Sequence, residues 1–157
     1  MDHNEKFKVE PKPKGEKTAI LLKGIIDEDA TFDAISKIAG AIIFNFSGVT
    51  SINSCGLRNW VNFIKSMGDR PIEYEECPPL IVRQLNMVPS FVGPAKVASV
   101  FASYVCENCE HEKLVLVDAS RFGFGNAQVE EVIKCDSCEK GEMEFDGHPK
   151  QYFAFSK

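Results

Sequence analysis

Two cysteine pairs of identical spacing, Cys106-Glu-Asn-Cys109 and Cys135-Asp-Ser-Cys138, restrict what this chain can fold into more than anything else in it. A C-x-x-C turn aims both sulfurs at one point, and the 25 residues between the pairs suffice for a strand, a loop and a return strand. Four thiolates gathered this way form a closed tetrahedral set, so the spacing predicts a structural zinc ion held by Cys106, Cys109, Cys135 and Cys138 in a zinc ribbon. Two disulfides or four free thiols are the alternative reading. Four sulfur ligands leave no coordination position open, which argues against a catalytic metal.

The redox setting bears on that choice. No stretch approaches the roughly 20 apolar residues that cross a bilayer. Residues 1–15 are polar and lack the apolar segment of a secretory signal. These features predict a cytoplasmic chain without membrane contact, and in a reducing compartment paired C-x-x-C cysteines read as metal ligands. Charge then limits the partners. Residues 1–100 hold 12 Lys+Arg against 12 Asp+Glu, and residues 101–157 hold 6 against 11, so the acidic excess lies in the ribbon. Four thiolates on one divalent ion would add two more negative charges. A phosphate backbone demands a basic face, so nucleic acid is not the expected partner.

Ahead of the ribbon, strands alternate with helices. Phe7–Pro11 and Thr18–Gly24 read as a hairpin around a Pro/Lys/Gly turn. Residues 25–40 predict a helix of about three turns, capped by Asp27 or Asp29, with Phe32, Ile35 and Ile38 at helical spacing and Gly40 as its stop. Ala41–Val49 is a nearly continuous apolar run and predicts a central strand covered on both faces. Thr50–Ser54 reads as a loop, followed by a helix with Leu57, Trp60, Val61, Ile64 and Met67 on one face and Gly68 at its end. A short strand follows Pro71, and Pro78-Pro79 open a third helix that Pro89 ends. Pro94 marks the expected junction, giving domains 1–94 and 95–157. In the second, residues 95–106 lead into the first knuckle and Leu114–Asp118 return, while Val129–Cys135 and Gln151–Phe155 read as strands flanking the second knuckle. Arg121–Gly125 reads as the long loop of the ribbon. The order predicts an α/β fold, a sheet flanked by helices, followed by a small all-β ribbon.

The segment AIIFNFSGVTSINSCGLRNWVNFIK, residues 41–65, resembles a STAS domain, the family of anti-sigma factor antagonists and of the cytosolic tails of sulphate transporters. The likeness rests on an apolar strand, Ser47-Gly48-Val49, a short loop, a box that is Asp-Ser-Ser-Gly-Leu in the family and Asn53-Ser54-Cys55-Gly56-Leu57 here, and an amphipathic helix. Leu21–Ile35 is similar to the strand, glycine, aspartate and helix stretch of the same family, and the resemblance spans Phe7 to Gly93. It implies a STAS-like sheet and a non-enzymatic regulatory or scaffold role exerted through protein contacts. The implied partner surface is Ser51, Asn53, Ser54, Cys55, Gly56, Leu57 and Arg58. In phospho-regulated members the serine directly before the glycine receives phosphate, and Cys55, which stands there, has no hydroxyl. The resemblance therefore implies partner switching that is constitutive or controlled by other means. A helix start does suit a phosphate, and Ser54 either takes that role or caps the helix.

Two other function classes fit parts of the chain. One is a nucleic-acid-binding zinc ribbon. The other is a thiol-based redox sensor using Cys55, since a helix N-terminus lowers a thiol pKa. Against it stands the lack of an adjacent base or resolving cysteine in the sequence, and an inert thiol filling a serine-sized space is the simpler account. Cys77 reads as a packing residue at a strand end, and His111 and His148 as solvated loop residues. Trp60 and Phe63 read as core. Tyr152, Phe153 and Phe155 also read as core, with alternate members docking the two domains.

Overall fold

Gly15, at a left-handed φ of 65°, turns the chain between β1 (Lys8–Lys14) and β2 (Lys17–Ile26), which pair antiparallel from Lys8↔Lys23 to Lys14↔Lys17. The computed structural model describes residues 6–118, 130–138 and 141–156. The next strands, β3 (Ile42–Ile52), β4 (Ile72–Glu75) and β5 (Lys96–Val97), join parallel to one another and to β2, giving a mixed five-stranded sheet of order β1-β2-β3-β4-β5. Parallel strands laid down in sequence order require crossovers of one hand, and these place the connecting helices on one face. The helices are α1 (Asp33–Ser36), α2 (Ser54–Ser66), α3 (Pro79–Met87) and α4 (Pro89–Val92).

That face holds the core. Phe44 and Phe46 of β3 and Tyr74 of β4 meet Trp60 and Phe91, with ring centroids 4.9 Å apart for Phe44 and Trp60 and 5.0 Å for Phe46 and Tyr74. The polar ends of these rings are also paired. Trp60 Nε1 donates to the Tyr74 hydroxyl at 3.1 Å, which donates to the Phe91 carbonyl at 2.7 Å, so neither buried donor is orphaned. Burial pushes the Tyr74 phenol well above its ordinary pKa, keeping it a donor.

Three sequence expectations change here. The expected three-turn helix over residues 25–40 is a single turn, because β2 continues to Ile26 and the Asp27 carboxylate accepts from Asp29 N–H at 3.0 Å in a local turn instead of capping a helix. The strand through Ala41–Val49 runs on to Ile52, so residues 50–52 are strand and not loop. Among the described residues no further helical layer covers its second face. The alternate row carries Ile43, half-buried Asn45 and its β4 neighbours Glu73 and Glu75, ion-paired to Lys17 at 3.4 Å and to Lys14 at 3.9 Å. An apolar run here reflects the buried face plus Ile43, not a two-sided strand.

Past Pro94 the chain first completes β5 and then enters a second, antiparallel sheet. Its strands are β6 (Ser99–Cys106), β7 (Glu112–Asp118), β8 (Val132–Lys134) and β9 (Glu142–Phe145), in the order β7-β6-β9-β8. The expected strand over Gln151–Phe155 is instead a helical turn, α5 (Pro149–Tyr152), followed by a 3₁₀ turn at Ala154–Ser156, so the C-terminal part is not all-β. Pro149 in the first turn favours this start, and a helical turn lets neighbouring Tyr152 and Phe153 both pack inward, where a strand would point them apart. Residues Arg121–Gly125, expected as a loop, lie outside the described residues.

The two sheets are joined along one seam. Cys77 N–H donates to the Ser99 carbonyl at 3.2 Å, Phe101 N–H to the Cys77 carbonyl at 2.8 Å, and Glu76 N–H to Ser99 Oγ at 2.8 Å. On the other side of α3, Asn86 donates to the Tyr152 carbonyl at 2.9 Å and accepts from Phe155 N–H at 2.8 Å. Cys77 is fully buried at this seam, as expected of a packing residue, and burial pushes its thiol far up. Among the described residues no helix is long and apolar enough to cross a membrane.

Candidate functional site

Both cysteine pairs sit at the tips of hairpins in the second sheet. Cys106 ends β6 and Cys135 follows β8, and the pairing Cys106↔Met143 between β6 and β9 sets the two tips side by side. The four sulfurs of Cys106, Cys109, Cys135 and Cys138 lie within 4.8 Å of one another. Cys106 and Cys138 are 3.7 Å apart, and Cys109 and Cys135 are 3.6 Å apart. A disulfide needs about 2.05 Å, so these sulfurs are not bonded to one another. Metal–sulfur bonds of about 2.3 Å give tetrahedral edges of about 3.8 Å, and these two separations match them. No histidine joins the set among the described residues, and His111 and His148 are both exposed. The sequence reading of the four ligands agrees with this geometry.

The surroundings are shaped for thiolates. Ser137 N–H donates to Cys135 Sγ at 3.4 Å, Gly141 N–H to Cys138 Sγ at 3.3 Å, and Asn108 Nδ2 to Cys138 Sγ at 3.5 Å. Such outer partners orient ligands and offset their charge. Gly141 allows the approach. A Cβ there would lie 2.5 Å from Cys106 Sγ and 2.9 Å from Asn108 Cβ. A backbone hydrogen bond at His111 favours the Cys109 thiolate, yet desolvation and the sulfurs of Cys135, Cys106 and Cys138 outweigh it and raise Cys109 to about 11. Ligation must therefore expel protons, and acid should release the ion.

The first knuckle carries strain at Glu110. Its N–H closes the turn on the Cys106 carbonyl at 2.9 Å, and its φ is 62°, a conformation that favours glycine. We expect Glu110→Gly to stabilise the metal-bound chain by up to about 1 kcal/mol, read as a rise in denaturant midpoint at unchanged slope. A lower midpoint would show that the turn tolerates glutamate without strain. The rim is acidic, as expected from the charge count. Glu107 beside Glu144 raises its carboxyl above the ordinary range, and Lys113 pairs with Asp136 across the two knuckles and holds that carboxyl low.

The second feature is the start of α2. Asn53 caps it, accepting from Gly56 N–H at 2.8 Å, while its amide donates to Glu28 Oε2 at 2.9 Å. Ser54, weighed in sequence as the cap, is the first helical residue instead. Ser51, Asn53, Ser54, Cys55 and Arg58 are exposed and Leu57 half-buried, whereas Gly56 is buried. Glu28 was missed in sequence because its partner lies 25 positions away. The Asn53 amide holds the Glu28 carboxyl below its usual range. That interaction is present above the ordinary carboxyl pKa and disappears as pH falls through the lowered value. Asn53→Ala should lower stability by about 1 kcal/mol, a melting shift of about 2–4 °C, and return the Glu28 titration to the ordinary range. An unchanged titration would break the link between the two residues. No family model and no curated protein matches the chain.

Proposed function

We propose that this chain is a non-enzymatic cytoplasmic regulatory or scaffold protein, working through protein contacts of a STAS-like sheet, with one structural zinc ion bracing its C-terminal part. The observation that carries the reading is the strand order. An antiparallel hairpin strand is followed by parallel strands in sequence order, with β3 passing directly into the capped α2. That order supports the likeness seen in residues 41–65. An all-thiolate tetrahedron supports zinc in a closed, non-catalytic site. The acidic rim argues against a nucleic-acid partner.

On this reading the exposed start of α2, with Ser51, Asn53, Ser54, Cys55, Leu57 and Arg58, is the contact surface, and Gly56 beneath it sets its distance from the sheet. Because Cys55 lacks a hydroxyl, switching does not use phosphate at that position. The test is capture from native cytosol with the full chain and with Arg58→Glu. One protein retained by the wild type and lost with the variant, at unchanged circular dichroism, is expected. Equal capture by both would dismiss this surface. In parallel, incubation with ATP and cytosolic extract should add no phosphate to residues 51–58 by intact-mass and peptide analysis.

A further inference from the structure

The open groove between α3 and the turn leading into α5 belongs to neither feature described above. Its volume is ≈340 Å³, and it is lined by Val82, Arg83 and Met87 from α3, Ser103 from β6, and Asp146 and His148 from the turn after β9. That volume lies at the lower end of small-molecule sites, and junctions between packed units are a favoured place for them. The walls are held before any ligand arrives. Asn86 ties α3 to the Tyr152 carbonyl and to Phe155 N–H, and the Tyr152 hydroxyl donates to the Phe101 carbonyl. Binding there would require little ordering of the protein.

The lining offers a solvent-exposed cation and an exposed apolar side chain. Arg83 is exposed and makes no ion pair among the described residues, although Asp146 lines the same groove. Met87 is 69% exposed, more than any other large hydrophobic side chain described. A guanidinium pairs best with a planar carboxylate, bound through two parallel hydrogen bonds. Asp146 on the rim works against a second negative charge. We propose that this groove binds a small organic monocarboxylate with an apolar body, its carboxylate on Arg83 and its body against Met87.

The test is a titration of the ¹⁵N-labelled, metal-containing full chain with benzoate, and separately with benzyl alcohol and inorganic phosphate, followed by amide spectra. Benzoate should give saturable shifts confined to residues 80–87, 103, 146–148 and 150–152. Benzyl alcohol and phosphate should not saturate. Arg83→Ala should weaken benzoate by about tenfold or more, the weight of one charge-assisted pair, and Met87→Glu should weaken it as well by setting a like charge at the apolar end. Both positions are exposed, so the spectra of the rest of the chain should stay native. Scattered or unsaturable benzoate shifts, equal binding of the alcohol or phosphate, or wild-type affinity in Arg83→Ala would each overturn the assignment.

Discussion

Replacing Cys109 with serine is expected to release the metal and unfold the second sheet while the five-stranded sheet keeps its structure. Cys109 is the exposed ligand, whereas Cys106 and Cys135 are buried, so serine there removes coordination without opening a cavity. In comparable small sites, zinc contributes on the order of 10 kcal/mol of apparent binding free energy at neutral pH. Beyond the metal, the second sheet has its hydrogen-bonded seam with the first sheet and a small set of inward side chains. Its inward side chains are Val100, Ala102, Tyr104, Val117, Met143 and Phe145, a small set for so short a unit that joins the buried cluster of the first sheet at the seam. The first sheet instead has the ring cluster around Trp60. Amide spectra decide the matter. The signals of 99–118, 130–138 and 141–145 should collapse to the random-coil range while those of β2, β3 and β4 stay dispersed. Native dispersion in the second sheet would show that packing alone sustains it, and collapse of both sheets would make them one folding unit.

Gly56→Ala should be the most damaging single-atom change in the first sheet. A Cβ at this position would lie 2.1 Å from the Ile26 carbonyl oxygen and 2.8 Å from Asp27 N. Both are backbone atoms, so no side chain can swing aside. Either α2 lifts from the end of β2 or β2 bends, and both moves disturb Trp60 and Val61 one turn further on, which are buried. Overpacking of this kind costs about 3 kcal/mol or more, corresponding to a melting shift on the order of 10 °C in a chain of this size. Ser54→Ala, at an exposed neighbour, should stay within about 0.5 kcal/mol of wild type. Thermal melts of the two variants check this. Equal melting temperatures would mean that the helix start is not pressed against β2, and the proposed contact surface would lose its fixed position.

Which elements were legible in the sequence follows from how local their causes are. The knuckles were, because a C-x-x-C turn is set by four neighbouring residues, and the sulfurs of both pairs do converge. Helix α2 was as well, since its buried residues recur at helical spacing from Trp60 to Ile64. Elements decided by distant partners were not. Strand β9, Glu142–Phe145, alternates buried Met143 and Phe145 with two glutamates, a pattern too short to stand out before β6 and β8 are known to flank it. Gln151–Phe155 has the aromatic content of a strand, and its helical turn depends on Pro149 and on Asn86, which lies 66 positions from Tyr152. The single-turn α1 shows the reverse case. Its helical spacing of Phe32, Ile35 and Ile38 is real, but the preceding residues pair with β3 as part of β2. The capping role passed from Ser54 to Asn53 because the extension of β3 to Ile52 moved the helix start.

The proposed zinc centre is the claim on which the rest stands, and metal content of the untagged chain, purified without added metal, tests it most directly. Native mass spectrometry paired with elemental analysis should find one zinc per chain, no iron, and the four cluster thiols alkylated only after chelation and denaturation, with buried Cys77 alkylated on denaturation alone. A chain free of metal, or one whose denatured mass is lower by four hydrogens because the cysteines have paired as disulfides, would contradict it.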